Sequence, residues 1–226
     1  MTGQSLLNSR NKAGLSQLDA AAVLGLSQPM LSLVENGKRN VTEEVARLAV
    51  KKLHANPTEL PKTSSCRSDD SQLASDLGAL EYPGFAYMQS EPRNPAELLL
   101  DALDRPDLDV RVAEGLPWVP MRYPDLDWDW LTDEAKLRNR QNRLGFVVAL
   151  SQKMAELGSK ADVVKSLAPV LQELEDARLA KEDTFCQDSW PPSQRAYAHE
   201  KRSDLAAHWN LDTRLSEVDL AHYAAS

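Results

Sequence analysis

The first sixty residues contain no aromatic side chain; all thirteen Phe, Tyr and Trp residues lie beyond them. Cysteine is scarce too. Cys66 and Cys186 are the only two in 226 residues, too few for a disulfide framework and without the Cys-x-x-Cys spacing of a zinc site. No apolar run exceeds Phe146-Val147-Val148-Ala149-Leu150, whereas a membrane-crossing helix needs roughly 18 residues. No basic-then-apolar leader opens the sequence, so a cytoplasmic protein with no membrane partner is expected. Period-two alternation is nearly missing, which disfavours sheets and predicts an all-α chain.

What is present divides near residue 60. Residues 1–60 carry seven Lys/Arg and five Asp/Glu; residues 61–226 carry nineteen and twenty-nine, giving −8 overall. Between them, the stretch from Pro61 to Ser71 is rich in Ser and Asp. Such a composition cannot offset its ordering entropy by burial, and predicts a flexible linker over 61–93. A domain over 1–60 and an all-α domain over 94–226 complete the expected organisation.

The first domain reads as five short helices. Ser5 to Lys12 forms the first, with Leu6 and Leu7 as its apolar edge and Gly14 at its stop. Ser16 caps a second, Gln17 to Leu24, whose stripe is Leu18, Ala21 and Leu24. Gly25 ends it, and two residues later Ser27 caps a third, with Pro29 in the first turn and Leu31 and Val34 facing inward. Thr42 caps a fourth, with Glu43 and Glu44 at its positive end and Val45, Leu48, Ala49 and Leu53 inward.

Two short helices joined by so tight a glycine turn make a helix-turn-helix. The set Leu15-Ser16-Gln17, Ala21, Leu24-Gly25, Ser27-Gln28, Leu31-Ser32, Glu35-Asn36-Gly37-Lys38-Arg39 and Pro57-Thr58-Glu59-Leu60 resembles the Cro/CI-type (XRE) DNA-binding domain, a lambda-repressor-like fold, over about residues 4–60. The resemblance implies that the third helix enters the major groove. Gln28 is the expected base reader, because a primary amide matches adenine N6 and N7. Pro29, Ser32 and Leu33 share its exposed side. Pro29 and Leu33 stand where many relatives carry polar groups, and are expected to pack on thymine methyls. Gln17, Asn36, Lys38 and Arg39 are expected on phosphates. Arg10 and Glu35 resemble a structural ion pair joining the first and third helices. A net charge of +2 is low for phosphate neutralisation by one copy, so a homodimer reading two half-sites of a duplex operator is expected.

Beyond residue 93 the pattern is again helical. Asn94-Pro95 opens a helix to Leu103 that Pro106 ends. Asp107 to Glu114 follows, with Val110 and either Val112 or Ala113 inward. Leu116-Pro117-Trp118-Val119-Pro120 is expected to be extended or turning. A long helix is expected from Trp128 to Leu157, another from Lys160 with a kink or break at Pro169, and a last one from Ser193 to Trp209. Lys136, Arg138, Arg140 and Arg143 form a basic run, read as a solvated, mutually paired face.

Catalytic chemistry has no visible carrier. Asp125-x-Asp127-x-Asp129 begins like a calcium loop, but Trp130 and Lys136 occupy the positions that need Gly and a carboxylate. The four histidines, His54, His199, His208 and His222, lack metal-ligand spacing, and His222 is expected to be solvated. No cofactor, no metal and no enzymatic activity are expected. Residues 97–134 carry eleven acids and three bases, a surface suited to a basic protein. Trp118, Trp128 and Trp130 beside Asp125, Asp127 and Asp129 are the expected partner-binding residues. Residues 94–157 are similar to the C-terminal part of XRE regulators paired with nucleotidyltransferase-like toxins. That implies an antitoxin that represses its own operon and binds a basic toxin. Two other readings stand beside it: a regulator that senses a small molecule, and a metal-dependent enzyme built on the acidic cluster.

Overall fold

Side-chain caps set the starts of the first four helices. Thr2, Ser16, Ser27 and Thr42 accept from the backbone N–H of Ser5, Asp19, Met30 and Val45 at the heads of α1 (Gly3–Lys12), α2 (Gln17–Val23), α3 (Gln28–Glu35) and α4 (Glu43–Leu53). A short 3-10 turn, Pro57–Glu59, takes the fifth place. The computed structural model describes residues 1–62, 69–88 and 90–220; Cys66 and His222 lie outside them. The described chain divides into two units, 1–62 with 90–94, and 69–88 with 95–220.

The first unit packs Leu6, Ala20, Ala21, Leu24, Leu31, Val34, Val45, Ala49 and Leu53 into one core. Gly25, at φ 66, makes the tight turn between α2 and α3. Gly3 lets α1 approach the end of α3: a Cβ there would lie 2.0 Å from the Val34 carbonyl oxygen. Leu18 departs from its expected place. It lies in the first turn of α2 and is 68% exposed, so Ala20 takes the inward position beside Ala21 and Leu24.

The expected linker over 61–93 is partly structured. α5 (Asp70–Ala79) buries Leu73 and Leu77, and a 3-10 turn, Pro83–Phe85, buries Phe85, all in the core of the second unit. Residues 90–94 belong instead to the first unit, where Asn94 Nδ2 donates to the carbonyls of Thr58 and Leu60 at 3.0 and 2.7 Å. The Ser/Asp-rich composition hid the Leu73–Leu77 pair, spaced one helical turn apart.

The second unit continues with α6 (Pro95–Asp104), α7 (Val110–Gly115), α8 (Trp118–Arg122), α9 (Trp128–Leu137), α10 (Gln141–Leu157), α11 (Ala161–Asp176), β1 (Asp183–Thr184), α12 (Pro192–Lys201), α13 (Asp204–His208), β2 (Leu211–Asp212) and α14 (Glu217–Leu220). β1 and β2 pair in parallel over two residues, so the fold is all-α. α10 is its axis: every residue from Gln141 to Ser151 is buried, as befits a helix enclosed on all sides. Gly145 lies on α10 under the Trp209 ring, which a Cβ would meet at 2.2 Å.

Several helices of the second unit differ from expectation. Residues 116–120, expected extended or turning, turn only at 116–117 and lead into α8, because Pro117 is its N-cap and Pro120 falls in its first turn, where no amide donor is needed. The single helix expected over 128–157 is two, since Asn139 adopts a left-handed φ of 57 and the Arg140 N–H returns to the Ala135 carbonyl at 2.7 Å. α11 runs through Pro169 without a break. The last expected helix divides at Arg202, whose ψ of 149 is extended, and restarts from a Ser203 cap. On α7, Val112 and Ala113 are buried and Val110 is exposed.

Arg143 is the largest departure in environment. Expected on a solvated face, it is enclosed, its side chain 1% exposed. Its guanidinium donates to Asp183 and Asp188 and to the carbonyls of Leu103 and Arg105, and Nη1 lies 3.5 Å from the Cys186 sulfur. The clamp ties α10 to the end of α6, to β1 and to the segment after it. Burial pushes the Cys186 thiol up to about 11, so the residue behaves as a small apolar group.

Candidate nucleic-acid interface

α3 carries the expected reading face. Its cap, Ser27, fixes where the helix begins, and Pro29 sits in the first turn without losing a needed donor. Leu31, Val34 and Glu35 face the core. The complementary face presents Gln28, Pro29 and Leu33 as exposed residues, with Ser32 half-buried among them. Leu33 is 37% exposed. The four expected base-reading positions therefore share one side of one helix.

Behind this face runs a chain of polar contacts. Arg10 Nε and Nη2 donate to the two carboxylate oxygens of Glu35 at 2.6 and 3.2 Å. Arg10 Nη1 also donates to the Leu15 carbonyl at 3.0 Å, which ties α1 to the start of the motif. The Glu35 side chain is 1% exposed and that of Arg10 is half-buried, so the enclosed carboxylate is satisfied by its partners. Gln17 Nε2 donates to Glu35 Oε2 at 3.0 Å, and Gln28 Nε2 donates to Gln17 Oε1 at 3.1 Å. The contacts thus lead from the core to the exposed amide at the head of α3. Sequence reasoning paired Arg10 with Glu35 but missed the two glutamine links.

The expected phosphate-binding residues differ in what they have to offer. Lys38 and Arg39 are exposed, and their backbone N–H groups bond the Leu33 carbonyl at 2.9 and 3.2 Å, fixing the turn that carries them. Gln17 spends one N–H on Glu35 and keeps a second. Asn36 is exposed but folds its amide back onto α3. Its Nδ2 donates to the Ser32 carbonyl at 2.7 Å and reaches the Ser32 hydroxyl at 3.4 Å, so the amide caps the end of α3 instead of presenting a donor to solvent.

The expected partner-binding cluster in the second unit separates. Trp118 does not belong on a surface: it is 2% exposed and packs edge-on against Tyr82 and Tyr123 at centroid distances of 5.5 and 6.0 Å. Trp128 and Trp130 are partly buried against the core, with Trp128 Nε1 donating to the Pro124 carbonyl at 2.9 Å. Asp125, Asp127 and Asp129 are exposed. Asp127 caps α9 by accepting from the Trp130 N–H at 3.3 Å. Among the described residues, no group of three or more His, Cys, Asp or Glu is arranged to hold a metal ion, and no helix is long and apolar enough to cross a membrane.

Neither a curated protein nor a solved structure matches the chain. Residues 6–60 match the family described as Helix-turn-helix, the span that contains α2, the Gly25 turn and α3. The N-terminal part of this protein is a helix-turn-helix domain, the DNA-binding element of a transcriptional regulator.

Proposed function

We propose that the protein is a dimeric repressor that reads a duplex operator in its own promoter through α3, with Gln28 as the base-reading residue. The observation that carries this reading is the exposed Gln28 amide, anchored from behind by Gln17 and flanked by Pro29, Ser32 and Leu33. A primary amide so presented offers the donor and acceptor that an adenine edge requires. Lys38 and Arg39 beyond the helix supply phosphate contacts that set register. With two net positive charges in residues 1–60, one copy neutralises few phosphates, and two copies on half-sites about 34 Å apart double the contacts. The test is selection of the full chain on random duplexes, then titration of the enriched site. The triple variant Gln28→Ala, Lys38→Ala, Arg39→Ala, folded by circular dichroism, is expected to lose affinity and selectivity together; unchanged binding refutes the reading.

The second unit supports a protein-binding role, with a basic toxin as the partner that would make the chain an antitoxin. Exposed Asp125 and Asp127 lie ahead of α9 and exposed Asp129 in its first turn, beside the partly exposed Trp128 and Trp130, a combination of charge and aromatic area that fits a basic surface. Asp→Asn at all three positions removes the charge and keeps the α9 cap, because Asn caps as well as Asp. The variant is expected to weaken capture of a basic protein encoded beside this gene and to leave operator binding unchanged. Undiminished capture refutes the acidic-face model.

A further inference from the structure

Glu35 stands two hydrogen bonds behind the reading amide, and its chemistry constrains every link between them. A carboxylate accepts and never donates. Gln17 must therefore turn its Nε2 towards Glu35 Oε2, as the 3.0 Å contact shows. That orientation points Gln17 Oε1 the other way, where it accepts from Gln28 Nε2 at 3.1 Å. An amide oxygen cannot donate either, so Gln28 also has one orientation open to it. We propose that Glu35 is a positioning residue that fixes the donor–acceptor polarity of Gln28 and so makes it select adenine over guanine. The proposal rests on the base-reading role of Gln28 argued above.

Counting donors gives the selectivity. An unrestrained glutamine offers two N–H groups and an oxygen. Here one N–H of Gln28 is committed to Gln17, which leaves one N–H and the oxygen. Adenine presents N7 as acceptor and N6–H as donor, and that remaining pair satisfies both. Guanine presents two acceptors, N7 and O6. The restrained amide can serve one of them and sets its own oxygen against the other. Freed of Gln17, the amide can turn its NH2 to guanine, and the distinction fades. Glu35 is well suited to the anchoring task. Two N–H groups of Arg10 hold it, and burial keeps water from replacing Gln17.

The test uses the full chain on duplexes selected from a random pool, scored at the base pair whose preference disappears in Gln28→Ala. Wild type is expected to favour adenine over guanine there by about tenfold, in the range of one good bidentate contact. Gln17→Ala cuts the relay while Arg10 Nη2 still donates to Glu35 Oε2, and with wild-type circular dichroism it is expected to lose most of that ratio. Two variants probe Glu35 itself. Glu35→Gln keeps the shape but can present either end of its amide, and Arg10→Met with Glu35→Leu replaces the pair by apolar side chains, an exchange that buried ion pairs often tolerate. Whichever retains the wild-type circular dichroism is expected to lose the ratio as Gln17→Ala does. A wild-type ratio in Gln17→Ala, or in the folded Glu35 variant, overturns the relay while leaving the reading role of Gln28 in place. Unchanged preferences in Gln28→Ala overturn the reading role and the relay together.

Discussion

On the proposed reading, Leu33 sets a preference without a hydrogen bond. It stands 37% exposed on the same side of α3 as Gln28, one turn after Pro29, and neither side chain can donate to or accept from a base. The groove feature that rewards an apolar contact is the thymine C5-methyl. Replacing thymine by deoxyuridine removes that methyl and nothing else. In the enriched operator, the substitution is expected to weaken wild-type binding several-fold at one base pair and to have no effect on Leu33→Ala at that pair. Equal sensitivity of the two proteins would assign the methyl contact elsewhere.

Tyr123 carries a different kind of residue-scale consequence. Its hydroxyl donates to the Leu80 carbonyl at 3.0 Å, and burial raises its pKa to about 12 from the usual 10.0. With a folded pKa above the unfolded one, the native state holds the proton over a range in which the unfolded chain has released it. The neutral phenol's contribution is therefore intact below pH 10 and declines up to about 12; the Cys186 thiol, raised to about 11 from 9.0, adds a decline that begins near pH 9. The steepest loss is about 1.4 kcal/mol per pH unit for each group. Urea unfolding across pH 8 to 12, with Tyr123→Phe expected to give the shallower decline, checks the sign and the window.

At the scale of elements, the helix-turn-helix was legible because each boundary is set by local chemistry. Ser16, Ser27 and Thr42 cap helices wherever hydroxyls precede an apolar period, and Gly25 marks the turn whatever surrounds it. The second unit was less legible. Whether α9 and α10 are one helix depends on Asn139, and Asn tolerates both the helical and the left-handed conformation. Pro117 and Pro120 fit equally a turn or the start of a helix. In sequence, Arg143 matches its solvated neighbours, since the Asp183 and Asp188 that enclose it lie about forty residues on. The glutamine relay escaped notice for the same reason: spacing reveals which residues share a helix face, and not which way an amide turns.

Gly145 is an element-scale device of this kind. It leaves α10 a notch into which Trp209, from the end of α13, inserts its ring, with three ring atoms between 2.2 and 2.6 Å from where a Cβ would stand. Gly145→Ala improves helix propensity by about 1 kcal/mol, but forces the ring or the helix to shift, at about 1–3 kcal/mol for overpacking. The net expected result is a loss of stability in urea, accompanied by a changed Trp209 environment in fluorescence. A stabilised variant would show that the ring yields without cost.

For the molecule as a whole, the two units keep separate apolar cores, one around Leu6, Leu24, Leu31 and Leu53, the other around Phe146, Trp118 and Trp209. Separate cores are a standard reason for departure from two-state unfolding. Because all five tryptophans follow residue 60, intrinsic fluorescence follows the second core alone, while far-ultraviolet circular dichroism follows helices of both. The two urea curves are expected not to superimpose, and coincident curves would show a single cooperative transition. The charge division runs parallel to the aromatic one. The first sixty residues carry a small positive excess and the remainder a negative one of ten, so affinity for polyanions falls to the head and affinity for basic surfaces to the remainder.

The aromatic-free head has a practical consequence at the bench. Once cut from the rest by a protease, it carries no near-ultraviolet chromophore and passes a column detector set for tyrosine and tryptophan without a trace. A digest that looks like clean recovery of one fragment can therefore hold an equal amount of the helix-turn-helix piece. Peptide-bond absorbance or a dye that stains lysine would make that silent piece visible.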